Sequence, residues 1–148
     1  MLANEGDKAR RYTLRKSEIL RHQRAIEALF VSGESLRVPY LKVIFAVAPA
    51  QSPAKVMVLF SISRRTVRRA AARNRIKRLM REAYRRQKWT LIDGVQSQLP
   101  AGKQLHLAVL YQPQRQPFTF QKAMHAFALA FDELLRRLST CEIKQEPA

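Results

Sequence analysis

The stretch that decides how this chain folds is residues 64–88 of 148, RRTVRRAAARNRIKRLMREAYRRQK. It holds twelve Lys or Arg residues and one acid, Glu82, so it supplies +11 of the chain's net charge of +17. Its apolar residues recur at intervals of three and four, which is the period of an amphipathic α-helix. The sequence therefore predicts a basic helix over residues 67–88.

The spacing of about 100° per residue assigns two faces to this helix. The face expected to pack on a core carries Ala72, Ile76, Leu79, Met80 and Ala83. The opposite face carries Asn74, Lys77, Arg78, Arg81 and Arg85. We therefore expect one face to be buried and the other to meet a phosphate-bearing partner.

Repulsion among the cations supports a polyanionic partner. Four of them follow one another at i, i+4: Arg73, Lys77, Arg81 and Arg85. Each like-charged pair costs about 0.2–0.5 kcal/mol in an isolated helix. Four more cations lie at the helix start, where the helix dipole disfavours positive charge and free backbone N–H groups can hold an anion: Arg64, Arg65, Arg68 and Arg69. Glu82 can compensate only its expected partners, Arg78 and Arg86, so we expect nucleic acid to bind here.

Composition indicates one folded domain rather than a disordered polycation. The chain is 47% hydrophobic, and 148 residues can bury a single core. We assign residues 1–16 to a flexible basic N-terminal segment, residues 17–139 to one α+β domain and residues 140–148 to a polar C-terminal tail. Cys141, the one cysteine, lies in that tail, which fits a reducing compartment. No window is apolar enough for a signal peptide or a membrane span, so we expect a cytoplasmic protein that binds no membrane.

The pattern predicts a helix and two strands before the basic helix. The first helix is expected over residues 17–31, where Gly33 would end it. Residues 40–48 and 56–63 have the composition of strands, and the short segment PAQSP between them suggests an antiparallel hairpin. The chain is therefore expected to begin with helix, strand and strand.

A strand and a helix are expected after the basic helix. A loop that contains Gly94, Pro100 and Gly102 would lead to a strand over residues 105–111, and this connection is long enough to make that strand parallel to an earlier one. The last helix follows Pro117, and its apolar stripe is expected to be core: Phe120, Met124, Phe127, Phe131, Leu134, Leu135 and Leu138. The predicted order is α-β-β-α-β-α, an α+β fold with a small mixed sheet packed against helices.

The chain offers no group of residues whose spacing indicates catalysis. His22, His106 and His125 lie far apart in sequence, and each is expected to have a structural or surface role. The four glycines form no phosphate-binding loop, and the basic stretch holds a single carboxylate, that of Glu82. We therefore expect no catalytic residue and no metal site, so another molecule would perform any chemistry.

Residues 67–81 resemble the signature of the bacterial ribonuclease P protein component. In that family an apolar residue, two variable residues, an alanine and two more variable residues precede Arg-Asn, basic, apolar, Lys-Arg, variable, apolar, basic. VRRAAARNRIKRLMR matches every constrained position, and the resemblance extends over residues 11–138. It departs at residues 64–68, where many members have Lys-Lys-x-Gly, and at Ile26, where an aromatic residue is frequent.

The resemblance implies the protein subunit of a ribonucleoprotein endonuclease that removes the 5′ leader from precursor tRNA. Its partners would be precursor tRNA and the catalytic RNA subunit, which would hold the magnesium ions and cut; DNA is not expected as a partner. The resemblance also implies a left-handed β-α-β crossover and an RNA-binding role for the domain at residues 17–139. The residues expected to bind RNA are Arg64, Arg65, Arg68, Arg69, Arg73, Asn74, Arg75, Lys77, Arg78, Arg81 and Arg85.

The resemblance further implies a cleft between the first helix and the sheet that takes the single-stranded leader. Phe30 and Phe45 are candidates for stacking on its bases, each equally interpretable as a core residue, and Ile26 would supply an apolar contact. Charge alone allows a ribosomal or general RNA-binding structural protein equally well, with a DNA-binding helix as a third alternative. The signature favours the ribonuclease P family over both.

Overall fold

The computed structural model describes residues 12–144, and side chains are described for residues 12–139. Most of the predicted N-terminal segment, the side chain of Cys141 and the last four residues of the predicted tail therefore lie outside the described residues. Within the described range, no helix is both long enough and apolar enough to cross a membrane.

Helices and strands follow one another in the order α-β-β-β-α-β-α. The helices are α1 (Gln23–Ser32), α2 (Ala70–Gln98) and α3 (Phe120–Lys144), with a single 3-10 turn, Lys16–Glu18, ahead of α1. The strands are β1 (Glu34–Val38), β2 (Leu41–Pro49), β3 (Val56–Ser61) and β4 (Lys103–Tyr111). The α+β class and the mixed sheet are confirmed, and the predicted order lacks one strand.

The missing strand, β1, is short and polar. Only Leu36 among its five residues is buried, because β1 lies at the edge of the sheet and pairs with β2 alone. An edge strand that buries one side chain has little period-2 signal in its sequence.

The sheet order is β1-β2-β4-β3, which places the last strand in the centre. β4 pairs antiparallel with β2 and parallel with β3, so the predicted parallel crossover through the basic helix is confirmed. The predicted hairpin is wrong, because β4 lies between its two strands. The left-handed sense of the crossover stays a prediction.

Hydrogen bonds to the start of β4 explain why no hairpin forms. The backbone N–H of Ala50 donates to Gly102 O over 2.8 Å, and the Gln104 side chain accepts from Gln51 N (3.0 Å) and donates to Ala54 O (2.7 Å). The connection between β2 and β3 therefore passes over the end of β4. The consecutive buried residues of β4 favour the central place, where both faces of a strand are covered.

Helices cover the two faces of the sheet unequally. One face packs against α2 and α3 in the main core, which includes the predicted α3 residues Phe127, Phe131, Leu134 and Leu138. The other face packs against α1 in a smaller cluster that includes Leu29, Ile44, Met57 and Ala108. We call the second one the α1 face. The prediction that the α3 stripe is core is confirmed from Met124 to Leu138, whereas Phe120 is half-buried outside this core, with the Arg86 guanidinium over its ring.

The first helix begins six residues later than predicted. Ile19 pairs with Val58 in an isolated parallel bridge, and the backbone N–H of Leu20 donates to Val58 O over 3.0 Å. This extended segment lies beside β3 and buries Leu20, so α1 begins only at Gln23. Gly33 ends the helix as predicted. A larger residue does not fit there, because its Cβ would lie 2.5 Å from Leu29 O and 2.8 Å from Ile44 Cγ2.

The basic helix continues ten residues beyond its predicted end. Leu91 and Val95 are buried and extend its apolar stripe. Gly94, predicted to lie in a loop, is instead a close-packing position, because a Cβ on it would lie 2.6 Å from Leu135 Cδ2. A glycine near the end of a helical pattern indicates either a loop or a close helix pair. Here it marks a close helix pair, because α3 packs against Gly94.

Candidate nucleic-acid interface

Most of the predicted RNA-binding residues form one exposed surface. Nine of the eleven are exposed, and their side chains make no hydrogen bond or ion pair with any other residue in the range 12–139. We call these nine the basic surface: Arg64, Arg65, Arg68, Arg69, Asn74, Arg75, Lys77, Arg78 and Arg81. Cations without a protein partner remain available to phosphate groups.

The buried side of α2 explains why the basic surface faces outward. Met80 and Ala83 are fully buried, and Ile76 packs against the main core. The assignment of the two helix faces is therefore confirmed for the residues that anchor it. Ala70 and Ala71 are exposed at the start of the helix, so the backbone of a nucleic acid can approach closely there.

The first turn of α2 is suited to hold an anion. The first turn contains no Asp or Glu, and the N-cap residue, Arg69, makes no side-chain capping hydrogen bond. The first N–H groups of a helix carry a partial positive charge that adds to that of nearby cations. The helix start and the arginines of residues 64–69 therefore reinforce one another.

Arg73 has an internal role that the signature does not reveal. Its side chain is half-buried, and Nη1 donates to Val67 O over 3.0 Å and to Arg68 O over 2.7 Å. Two bonds to consecutive carbonyl groups fasten the segment before the helix to the helix itself. Arg73 therefore positions the basic surface rather than adding an unpaired charge to it.

Arg85, the other half-buried member of the predicted set, is also used within the protein. It forms an ion pair with Glu82, and its Nη1 donates to Tyr12 O over 3.1 Å. Arg86 bonds the same carboxylate over 2.9 Å, so one of the two predicted partners of Glu82 is confirmed. The predicted Glu82–Arg78 pair is wrong, because Arg85 takes that place. The guanidinium groups of Arg85 and Arg86 lower the pKa of Glu82.

The side chain of Lys88, the last cation of the stretch, points into the protein interior. Its Nζ lies 2.8 Å from Glu18 Oε1 and donates to Thr13 O over 2.5 Å. Both members of this ion pair are buried, as is the neighbouring Tyr84, and burial raises the pKa of the Tyr84 hydroxyl. The cations of the stretch that have no partner in the range 12–139 therefore end at Arg81, because Arg86, although exposed, is paired with Glu82.

The three predicted leader-binding residues lie on different sides of the sheet. Phe30 on α1 is 44% exposed, and Ile26 is half-buried in the α1 cluster. Phe45 is 2% exposed and lies in the main core on the opposite face, so it offers no ring face to a bound strand. The structure thus corrects the placement of Phe45, because alternate residues of a strand point to opposite faces.

Two cations of the α1 face were missed by the sequence reasoning. Arg37 and Lys42 are direct cross-strand partners in β1 and β2. Lys42 lies two residues before Ile44 in β2, so its side chain points to the same face of the sheet, the α1 face. Arg37, directly opposite Lys42, points to that face as well. Like charges directly opposite one another are unfavourable unless an anion lies nearby. The strand parity of β2 could have indicated Lys42, whereas its pairing with Arg37 required β1.

Comparisons with known proteins agree with this architecture. A family model described as Ribonuclease P matches residues 14–129. The ribonuclease P protein component of Chlorobium phaeobacteroides is 46% identical over 113 residues, which cover 72% of this chain and 76% of that relative. The protein of the same name from Chlorobaculum tepidum is 40% identical and covers 67% of each chain.

Solved structures share the fold. The RNase P protein from Thermotoga maritima is 22% identical, with a TM-score of 0.57 and coverage of 78% of this chain and 96% of that one. The RNase P protein of Staphylococcus aureus is 15% identical, with a TM-score of 0.59 and coverage of 80% and 96%. The chain therefore belongs to the family of bacterial ribonuclease P protein components, the protein subunits of the endoribonuclease that matures the 5′ ends of tRNA.

Proposed function

We propose that the basic surface binds the catalytic RNA subunit of ribonuclease P and that the α1 face binds the 5′ leader of precursor tRNA. The observation that carries this proposal is the division within α2. Apart from Arg73, the cations up to Arg81 make no side-chain bond to another residue in the range 12–139, whereas Arg85, Arg86 and Lys88 are all paired. A helix that pairs some cations and leaves others exposed has a surface suited to an external polyanion.

The chemistry of the basic surface assigns the cutting step to RNA. Its side chains are guanidinium, ammonium and one carboxamide, which bind phosphate groups, and with no carboxylate among these nine residues the many cations repel a metal ion. Magnesium would be held mainly by the RNA subunit. Asn74 can accept as well as donate hydrogen bonds, so it can read a base edge or a ribose hydroxyl beside the phosphates.

The α1 face has the two features that single-stranded RNA requires. Phe30 on α1 exposes an aromatic ring, and a base stacked on such a ring contributes about 1–3 kcal/mol. Arg37 and Lys42 supply cations for the sugar–phosphate backbone, and Ile26 adds an apolar contact. Processing of precursor tRNA also implies a cytoplasmic location.

Reconstituted cleavage tests the proposal. A bacterial ribonuclease P RNA is incubated at low magnesium with a precursor tRNA, with and without this protein. We expect the protein to restore cleavage at the mature 5′ end, because its cations offset the repulsion between two RNA molecules. Binding of both RNAs without any cleavage by a cognate RNA subunit would instead indicate a general RNA-binding protein.

A matched pair of variants tests the leader-binding face. Phe30→Ala should lower the preference of the assembled enzyme for precursor over mature tRNA and leave stability nearly unchanged. Phe45→Ala should cost about 3–5 kcal/mol of the free energy of unfolding, as large core truncations do, and leave that preference intact. The opposite pattern would place the leader on the other side of the sheet.

A further inference from the structure

A second cleft lies between the β1–β2 turn and the start of α3. It encloses about 700 Å³, which is within the roughly 300–1,000 Å³ typical of small-molecule sites. Its floor is formed by Tyr40 and Ala126, which are both buried. Its rim carries Arg115, Lys122 and His125, and none of the residues in the range 12–139 that line it is Asp or Glu. We call it the Tyr40 cleft.

The floor of this cleft is held in place by several contacts. Tyr40 has a φ of 74°, a left-handed conformation that turns normally assign to Gly or Asn. Its hydroxyl donates to Gln116 O over 3.0 Å, and its ring lies 5.2 Å from that of Phe118. Its carbonyl accepts from Gln112 N over 2.8 Å. Tyr40 therefore joins the turn to the 112–118 loop despite an unfavourable backbone.

The ammonium group of Lys122 is also oriented in advance. Nζ donates to Tyr40 Oη over 3.3 Å, bonds the side-chain oxygen of Gln116 and lies 5.6 Å from the centre of the Tyr40 ring. An ammonium group has three N–H donors, so one remains for an anion in the cleft. Arg115 is exposed and forms no side-chain bond with another residue in the range 12–139, so it is available as a second cation.

The Tyr40 cleft and the start of the basic surface lie at the same end of the strands. Lys42 of β2 and Ser61 of β3 both pair with Leu110 of β4, one on each side. Two strand spacings separate them, which is about 10 Å. The turn that holds Tyr40 comes just before β2, and the residue 64–69 arginines come just after β3. An RNA bound on the basic surface can therefore reach the Tyr40 cleft.

We propose that the Tyr40 cleft is a second RNA contact that takes one single-stranded nucleotide. Arg115 and Lys122 bind its phosphate, and its base lies on the apolar floor beside the His125 ring. The inference rests on the proposed function, because it requires RNA on the basic surface. It adds a contact from the β1–β2 turn and from α3, neither of which belongs to the basic helix.

Salt dependence of binding tests the cleft with a charge-matched control. Arg115→Gln and Lys103→Gln each remove one exposed cation, but Lys103 lies at the opposite end of β4. The probe is the catalytic RNA of a bacterial ribonuclease P with a bound precursor tRNA. We expect Arg115→Gln to flatten the plot of log affinity against log salt by about 0.7–0.9, the value of one phosphate contact, and Lys103→Gln to leave it unchanged. Equal slopes for the two variants overturn the inference.

Photocrosslinking supplies the second measurement. RNA substituted with 4-thiouridine is irradiated with the wild-type protein, and the tryptic peptides that contain Tyr40 or His125 are expected to carry nucleotide. Absence of nucleotide from both peptides, in a complex that cleaves precursor tRNA at low magnesium, overturns the cleft and leaves the proposed function standing. Failure of the wild-type protein to bind this RNA at all overturns both.

Discussion

The two halves of α2 carry the same kind of charge and use it in opposite ways. Residues 70–81 present Arg75, Lys77, Arg78 and Arg81 to solvent without a partner in the range 12–139. In residues 82–98, Arg85 and Arg86 form ion pairs with Glu82, and Lys88 is buried in an ion pair with Glu18. Charge density along the sequence is therefore a poor guide to which cations are free. In the second half of α2, the positions of Glu18 and Glu82 determine which cations are paired.

Glu18→Ala should give the largest effect, because it leaves Lys88 buried without its carboxylate. Loss of one partner of a buried ion pair costs about 3–5 kcal/mol, and we expect this loss in the free energy of unfolding measured by urea. The double variant Glu18→Leu/Lys88→Met serves as the control and should lose much less, because no charge stays buried. If the single and double variants lose the same stability, the second half of α2 does not depend on this pair.

Arg75→Gln/Arg78→Gln should weaken binding of the RNA subunit without lowering stability. Each lost phosphate contact flattens the salt dependence of log affinity by about 0.7–0.9. Arg86→Gln, in the second half of the same helix, removes a paired cation and should leave the slope unchanged. A change of slope with Arg86→Gln would contradict the division of α2 into two halves.

Substitutions of Arg73 can distinguish a role in positioning the segment before α2 from a role as a positive charge. Lysine keeps the charge, but its ammonium group ends a flexible stem and lacks the rigid guanidinium plane that holds Nη1 of Arg73 against the two carbonyl groups. We therefore expect Arg73→Lys to speed amide hydrogen exchange around residues 67–69 in the free protein and to weaken RNA binding nearly as much as Arg73→Ala does. Unchanged exchange together with full RNA binding in Arg73→Lys would mean that only the charge matters.

The smallest effect concerns pH and Glu82. Its pKa is lowered in the folded protein, so its ion pairs stabilise the fold above the pKa of the unfolded chain, and this contribution is lost as pH falls through the folded pKa. Wild type should therefore be slightly more stable than Glu82→Gln at pH 7, and the difference should vanish in acid. Urea unfolding at several pH values measures it. A difference that persists at the lowest pH would have a cause other than the carboxylate charge.

Local pattern was sufficient for the elements that carry a long amphipathic repeat. The inward stripe of α2 through Met80 and Ala83, the stripe of α3 and the helix end at Gly33 were all predicted from residue spacing. The signature at residues 67–81 also led to the correct family. These features depend on residues within a few turns of one another, so the sequence of a single segment is enough to predict them.

Pairing between distant segments accounts for what the sequence did not reveal. The central place of β4, the strand β1 and the close approach of α3 to Gly94 each depend on partners far along the chain. The choice between Phe30 and Phe45 likewise depends on which face of the sheet α1 covers.

The sequence by itself determined a basic amphipathic helix, an α+β fold and a ribonuclease P signature. Only the tertiary structure decided which cations of that helix are free, because Glu18, Tyr12 and Thr13 contact it from seventy or more residues away. The structure also showed two contacts between residues close in sequence, because Arg73 bonds carbonyl groups five and six residues before it and Arg37 lies opposite Lys42 across the β1–β2 turn. Residue spacing encodes which side of an element is apolar, whereas the partner that each polar group meets depends on how the elements pack.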